Sequence, residues 1–309
     1  MFKENSRVCF FGASIVTNGH MMRRVWEHYR KCGINLKMYN CGIPGDTAQN
    51  GFARMHDMVF CYDPTDVVVS FGMNDIKYFL YDGRDVTDSV IMERRRAIDT
   101  NVVYMRAIAE ECKKKNIRVT FYTMTPYDEF TESERPCFTG ASAALRELAE
   151  RVKLVAAECD ADFIDSYTPF NLMVKKFFKD GKTIVGEDRI HPTKSGQELM
   201  AQIFLKGQGF DVEFTQNFDE LEKAAEKPFD EWEEKRYELE KAAKCTEFAE
   251  WIVCKGIKSE TIIRSIIEEK MSSEENEAIV NLSKAYLEQK DNEAEAKRIL
   301  REYTEKGYE

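Results

Sequence analysis

The feature that most restricts the fold is an alternation. Through the first 209 residues, short apolar runs rich in β-branched and aromatic side chains alternate with longer stretches of helical periodicity. The runs are RVCFFG (7–12), NLKMYNC (35–41), TDVVVSFG (65–72), IRVTFYTM (117–124) and ADFID (161–165). Each is short and mostly apolar, as strands of a parallel sheet covered on both faces are. Between them the spacing predicts helices over 20–32, 46–60, 88–115, 140–159 and 195–206. Ser195 and Glu198 stand at capping-box separation, so the last helix is expected to start right after HPTK. Strand and helix in turn predict an α/β chain with three layers, a five-stranded parallel sheet between two helical layers.

From about residue 210 the pattern changes. Strand signals stop, and apolar residues recur at helical spacing: Leu221, Ala225, Phe229, Trp232, Leu239, Ala243 and Ile252, then Ile262, Ile263, Ile266 and Ile267, then Leu282, Ala285 and Tyr286. Charge changes with it. Residues 1–209 carry 29 Lys and Arg against 28 Asp and Glu, whereas residues 210–309 carry 16 against 27. Two regions are therefore expected, 1–209 and an acidic α-helical 210–309. The amphipathic faces of the second need a partner surface. Packing on the first region or on itself, dimerisation, and a lid over the site are all open, with Phe229, Trp232, Phe248 and Trp251 as core or lid residues.

Charge and composition exclude several function classes. A net charge of −10 without a basic stripe argues against nucleic acid or an anionic membrane surface as partner. No apolar run approaches the roughly 20 residues of a membrane-crossing helix, and MFKENSRVCFF lacks the apolar stretch of a secretion signal. Nine scattered cysteines without a CxxC pair read as reduced, packed thiols. Together these predict a cytoplasmic protein with no disulfide framework and no metal site.

In a doubly wound sheet the ligand site lies outside the carboxyl ends of the strands. There the pattern places Gly12-Ala13-Ser14 after the first strand, NCGIPGDT (40–47) after the second and Gly72-Met73-Asn74-Asp75 after the third. DRIHP (188–192) precedes the last helix and is expected to return to the same edge. Taken singly, each loop has a structural explanation, since Gly, Ser and Asn are common where strands turn into helices. Taken together, they supply what acyl transfer needs: a nucleophilic hydroxyl, a base, a group to orient the base, and donors for an oxyanion.

With FGAS (11–14), NCGIPGDT, FGMND (71–75) and DRIHP in this order, the sequence resembles the SGNH (GDSL) family of serine ester hydrolases over about residues 5–207. The resemblance implies the flavodoxin-like SGNH hydrolase fold. It implies Ser14 as nucleophile, His191 as general base held by Asp188, and an oxyanion hole from the backbone N–H groups of Ser14 and Gly45 and the side chain of Asn74. One position departs from the pattern: Ala13 stands where the family usually has Asp, which removes a hydrogen-bonding group from the turn and puts rate or substrate preference in doubt.

The expected reaction is hydrolysis of a small carboxylic ester, an O-acetyl group on a carbohydrate, without cofactor or metal. Lipase or thioesterase activity would use the same machinery. Outside that class stand a flavodoxin-like binding module, with GASIVTNG cradling a phosphate, and a non-catalytic scaffold. GxGxxG, GxxxxGK[ST], GxSxG and HExxH are all absent. A small-molecule ester is the expected partner, and a homo-oligomer could form through the C-terminal helices. His20, His28 and His56 read as structural, with His20 the one near enough to Ser14 to reach a cleft rim.

Overall fold

The computed structural model describes residues 1–83, 86–243 and 274–307. Five strands, β1 (Arg7–Gly12), β2 (Lys37–Gly42), β3 (Asp66–Ser70), β4 (Arg118–Tyr122) and β5 (Asp162–Ile164), form one parallel sheet in the order β2-β1-β3-β4-β5. This is the predicted sheet, with each strand within two or three residues of its expected bounds. The helices of the same unit are α1 (Ser14–Thr17), α2 (His20–Lys31), α3 (Ala48–Met58), α4 (Asp88–Lys114), α5 (Ala141–Cys159), α6 (Tyr167–Lys179), α7 (Lys194–Gly207) and α8 (Phe218–Ala225).

Consecutive side chains of a strand point to opposite faces, and this builds the layers. Phe10 meets Phe204 of α7 at a ring-centroid distance of 5.6 Å. Its neighbour Phe11 meets Phe71 at 5.0 Å and lies under the guanidinium of Arg54 on α3. So α7, with α2 and α8 packed beside it, covers one face of the sheet, and α3, with α4, covers the other.

Two helices were not expected from the periodicity. α1 is a single turn continuing from β1, and α6 follows FIDS, where Phe170, Val174 and Phe177 are buried. The start of α7 follows HPT, but its cap is not the expected one. Thr193 Oγ1 accepts the Gly196 N–H at 3.2 Å, and the Glu198 carboxylate turns to Arg24 instead, at 3.0 Å.

The chain separates into two compact units, Met1–Pro228 and Phe229–Glu309. The first therefore runs past residue 209. Phe210 packs edge-on against His28 and Tyr29, at 4.7 and 4.8 Å, and Phe218 against Phe177 at 5.5 Å. Leu221 and Ala225 of α8 are fully buried. Arg24 donates to the carbonyls of Ala224, Ala225 and Lys227, at and just beyond the end of α8, where carbonyls run short of intrahelical donors. The acidic composition of 210–228 marks only its solvent face.

In the second unit, α9 (Glu231–Ala242) and α10 (Glu274–Glu305) pack together. Trp232 stacks on Tyr303 at 5.4 Å, and buried Arg236 forks onto Glu233 at 2.6 and 2.8 Å, with Glu240 at 3.3 Å. Burial disfavours the Arg236 charge, but the two carboxylates outweigh it and raise its affinity for the proton. The expected apolar faces at Phe248, Trp251, Ile252 and Ile262–Ile267 lie outside the described residues, as do the side chains of Leu282, Ala285 and Tyr286. Among the described residues no helix is long and apolar enough to cross a membrane.

Candidate active site

Parallel register sets the site. Gly12 pairs with Gly42 on one side and Ser70 on the other, so β1, β2 and β3 end level and release their loops at one edge. The chain order changes direction there, between β1 and β3, the position at which doubly wound sheets bind ligands.

Ser14 opens α1, where the first N–H groups of a helix have no intrahelical acceptor. The turn before it is tight. A Cβ on Gly42 would stand 2.6 Å from the Thr17 nitrogen, so β2 can pass this close only as glycine. Neighbouring polar groups fix the turn where Ala13 offers none. The Ala13 carbonyl accepts from the Thr17 N–H at 3.0 Å and from Thr17 Oγ1 at 3.1 Å. Asn40 of β2 donates to the Val16 carbonyl at 2.9 Å and accepts the Gly42 N–H at 3.0 Å.

The loop 186–193 brings in the other two side chains. His191 Nε2 stands 2.7 Å from Ser14 Oγ, although the two residues are 177 apart in the chain. His191 Nδ1 stands 2.5 Å from Asp188 Oδ2. A carboxylate can only accept, so Nδ1 carries the imidazole proton and Nε2 is left to accept the Ser14 hydroxyl. Asp188 Oδ1 accepts the backbone N–H groups of Ile190 and His191, at 3.0 and 2.9 Å. Partial burial works against the Asp188 charge, but the His191 side chain and these two N–H groups outweigh it and hold the carboxyl below its ordinary value. Both side chains stay close to half exposed, 43% for Asp188 and 46% for His191.

Arg189, between them, was not foreseen. Its φ is +66°, and its buried side chain donates to the carbonyls of Arg135, Asp128 and Thr131, at 3.2, 3.2 and 2.6 Å. The Asp128 N–H in turn donates to the Arg189 carbonyl at 2.9 Å. The exposed loop that carries Asp188 and His191 is thus bolted to the loop after β4 by a buried cation.

On the other side, Gly45 takes φ +75°, a conformation that a side chain would strain. Asn74 Nδ2 donates to the Asp46 carbonyl at 2.8 Å, next to Gly45, and keeps a second N–H. Arg54 joins this loop to β1: Nε donates to Asp46 Oδ2 at 2.6 Å and Nη2 to the Gly12 carbonyl at 3.1 Å. Asp75 Oδ1 accepts the Ala48 N–H at 2.8 Å, at the start of α3. Burial raises the Asp75 pKa to about 6 and, less, that of Asp46, against the opposing pull of Arg54.

All five expected residues therefore lie at this edge, Ser14 at the start of α1 and the others on loops, and three are in direct hydrogen-bonded sequence. Arg54, Asp75 and Arg189 support them; Asp75 and Arg189 lie within the FGMND and DRIHP blocks, but nothing in the sequence signalled their supporting roles, and Arg54 carried no signal at all. His20 takes the structural role expected of it and not the alternative at the cleft rim: it is buried, with Nε2 3.4 Å from Glu198. His28 and His56 pack edge-on against Phe210 and Phe60.

Known proteins agree with this architecture. The sequence is 24% identical over 178 residues to an acetylxylan esterase of Geobacillus stearothermophilus, which covers 58% of this chain and 74% of the esterase. The solved structure of Axe2, an acetylxylan esterase from the same organism, matches with a TM-score of 0.55 at 20% identity, over 69% of this chain and 99% of that one, and shares its fold. BT4096, a gut microbial diltiazem-metabolizing enzyme, matches with a TM-score of 0.63 at 28% identity over 68% of this chain. Only 48% of that enzyme is covered, so this chain spans about half its length. Residues 10–199, more than half of the sequence, match the GDSL-like Lipase/Acylhydrolase family, and with the strand order and the loop edge described above the chain belongs to that family of carboxylic ester hydrolases.

Proposed function

We propose that the protein removes a short acyl group, acetate, from a hydroxyl of a carbohydrate, with Ser14 as nucleophile, His191 as general base and acid, Asp188 as its orienting partner, and Ser14 N–H, Gly45 N–H and Asn74 Nδ2 as oxyanion donors. The observation that carries this reading is the Ser14–His191–Asp188 sequence at 2.7 and 2.5 Å.

Ser14 Oγ attacks the ester carbonyl carbon as its proton passes to His191 Nε2. The carbonyl π pair moves onto oxygen, where neutral donors stabilise the charge without competing for the proton. Collapse of the tetrahedral adduct expels the alkoxide, which takes the proton from His191, and leaves an acetyl ester on Ser14. A water molecule then repeats the sequence, deprotonated by His191, and releases acetate. Asp188 holds Nδ1 protonated throughout and stabilises the transient imidazolium.

The exposure of the triad supports the substrate class. A nearly half-exposed His191 and Asp188 leave room for a bulky, polar alcohol portion at the surface. The likeness to an acetylxylan esterase points to the same class.

The test is acetate release from acetylated xylooligosaccharides, and p-nitrophenol release from the acetate, butyrate and octanoate esters, by wild type and Ser14→Ala. Acetate is expected to be preferred, with activity falling by about 10⁴-fold or more in the variant. Equal rates in both proteins would overturn the nucleophile. A preference for octanoate would overturn the short acyl group.

A further inference from the structure

Gln197 on α7 is 1% exposed and lines a small, mostly apolar pocket with Phe10, Ile15, Met21, Met22 and Met200, Ser70 and Tyr122 being its other polar side chains. A buried amide in apolar surroundings is costly unless both ends are hydrogen-bonded, and a Leu or Met would fill the space without that cost. Both ends are bonded here, and both partners belong to the nucleophile's segment. Nε2 donates to the Ile15 carbonyl at 3.1 Å, and Oε1 accepts the Met21 N–H at 3.3 Å.

Each partner is a group that local structure leaves open. In the single turn of α1, the Ser14 carbonyl accepts from the Asn18 N–H at 3.2 Å and the Val16 carbonyl from the Gly19 N–H at 3.1 Å. The carbonyl between them goes to Gln197. Met21 lies in the first turn of α2, whose cap residue Gly19 has no side chain to offer an oxygen. One amide therefore closes α1, which Ser14 opens, and caps α2, which follows it.

The same residue is tied to the other catalytic partner. The Gln197 N–H donates to the Thr193 carbonyl at 2.8 Å, and the Thr193 N–H to the Ile184 carbonyl at 2.9 Å, two residues beyond His191. From Ser14 the path runs through one peptide to the Ile15 carbonyl, across the amide, and along one helical turn to the His191 loop. It closes through the 2.7 Å contact of His191 Nε2 with Ser14 Oγ. Misplacing reacting groups by about 1 Å can cost on the order of 10²-fold in rate.

We propose that Gln197 is a positioning residue for acyl transfer: its amide locks the helical turn of Ser14 to the helix that follows His191 and so sets the separation of nucleophile and base. The proposal rests on the assignment of Ser14 and His191 given above.

The experiment compares wild type, Gln197→Met, Gln197→Glu and Ser14→Ala by Tm, by kcat and KM with p-nitrophenyl acetate well below Tm, and by the rate at which a fluorophosphonate labels the protein. Gln197→Met, similar in shape but without the amide, is expected to lower kcat 10- to 100-fold with KM within about twofold, and to slow labelling by the same factor as kcat. Gln197→Glu keeps an acceptor for Met21. Only when protonated does it offer a donor to Ile15, so its kcat/KM relative to wild type at the same pH is expected to rise as pH is lowered. Wild-type kcat and labelling rate in folded Gln197→Met would overturn the proposal, as would losses that merely track the unfolded fraction. Retention of activity by Ser14→Ala would instead overturn the assignment on which it rests. Should Gln197→Met fail to fold, the pH dependence of the Gln197→Glu ratio decides alone, a flat ratio overturning the proposal.

Discussion

The two sides of the candidate site hold their polar groups in opposite ways. On the Gly45–Asn74 side the supporting carboxylates, Asp46 and Asp75, are buried, and burial raises their pKa values. On the Asp188–His191 side the carboxylate is nearly half exposed, and hydrogen bonds lower its pKa. On the proposed mechanism the difference follows the task of each side. Oxyanion donors must be fixed before charge develops, and a dry, packed backing keeps them so. The base must take up a proton and give it back, and a charged, accessible carboxylate beside it serves that step.

The largest effect that sharpens this contrast is expected from Asp188→Asn. An amide cannot reliably hold Nδ1 protonated, and kcat for p-nitrophenyl acetate should fall by roughly 10³–10⁴. A loss below tenfold in steady-state kinetics would mean that solvent can replace the exposed carboxylate. On the other side, Asn74→Ala should lower kcat by about 10²–10³ with KM little changed, since the donor acts on charge present only in the transition state. An effect confined to KM would place Asn74 in ground-state binding.

Stability against pH separates the two sides more directly. The Asp75 pKa is raised from 3.8 to about 6, so between these values the folded chain holds a proton that the unfolded chain has lost. Stability therefore falls as pH rises through that window. Asp75→Asn, which keeps an acceptor for the Ala48 N–H, removes the penalty and should gain roughly 1–3 kcal/mol relative to wild type between pH 4 and pH 7 in chemical denaturation. A constant difference across that range would mean that Asp75 is ionised without cost. The smallest effect belongs to Asp188. Its lowered pKa gives stability that is present above the ordinary value of 3.8 and lost as pH falls below it. Exposure screens the effect, so wild type and Asp188→Asn should differ only slightly in Tm at pH 6 and converge toward pH 3. Divergence toward low pH would reverse the assigned sign.

The contrast also divides what the sequence determined from what folding decided. Apolar runs ending at Gly12, Cys41 and Gly72 predict a parallel sheet and one loop edge, because strand periodicity and small residues at turns are local properties of the chain. The blocks around Ser14, Gly45, Asn74, Asp188 and His191 could be found for the same reason. Only the tertiary structure decided that Gln197 reaches Ile15 and Met21, that Arg189 bolts the Asp188–His191 loop to residues 128–135, that Glu198 leaves its capping position for Arg24, and that the acidic segment 210–228 packs with the first unit. Gln197 is 182 residues from Ile15, and Arg24 is 174 from Glu198. A long polar side chain takes whichever open carbonyl, N–H or charge the packed helices bring within about 3 Å, and no spacing along the chain encodes that choice.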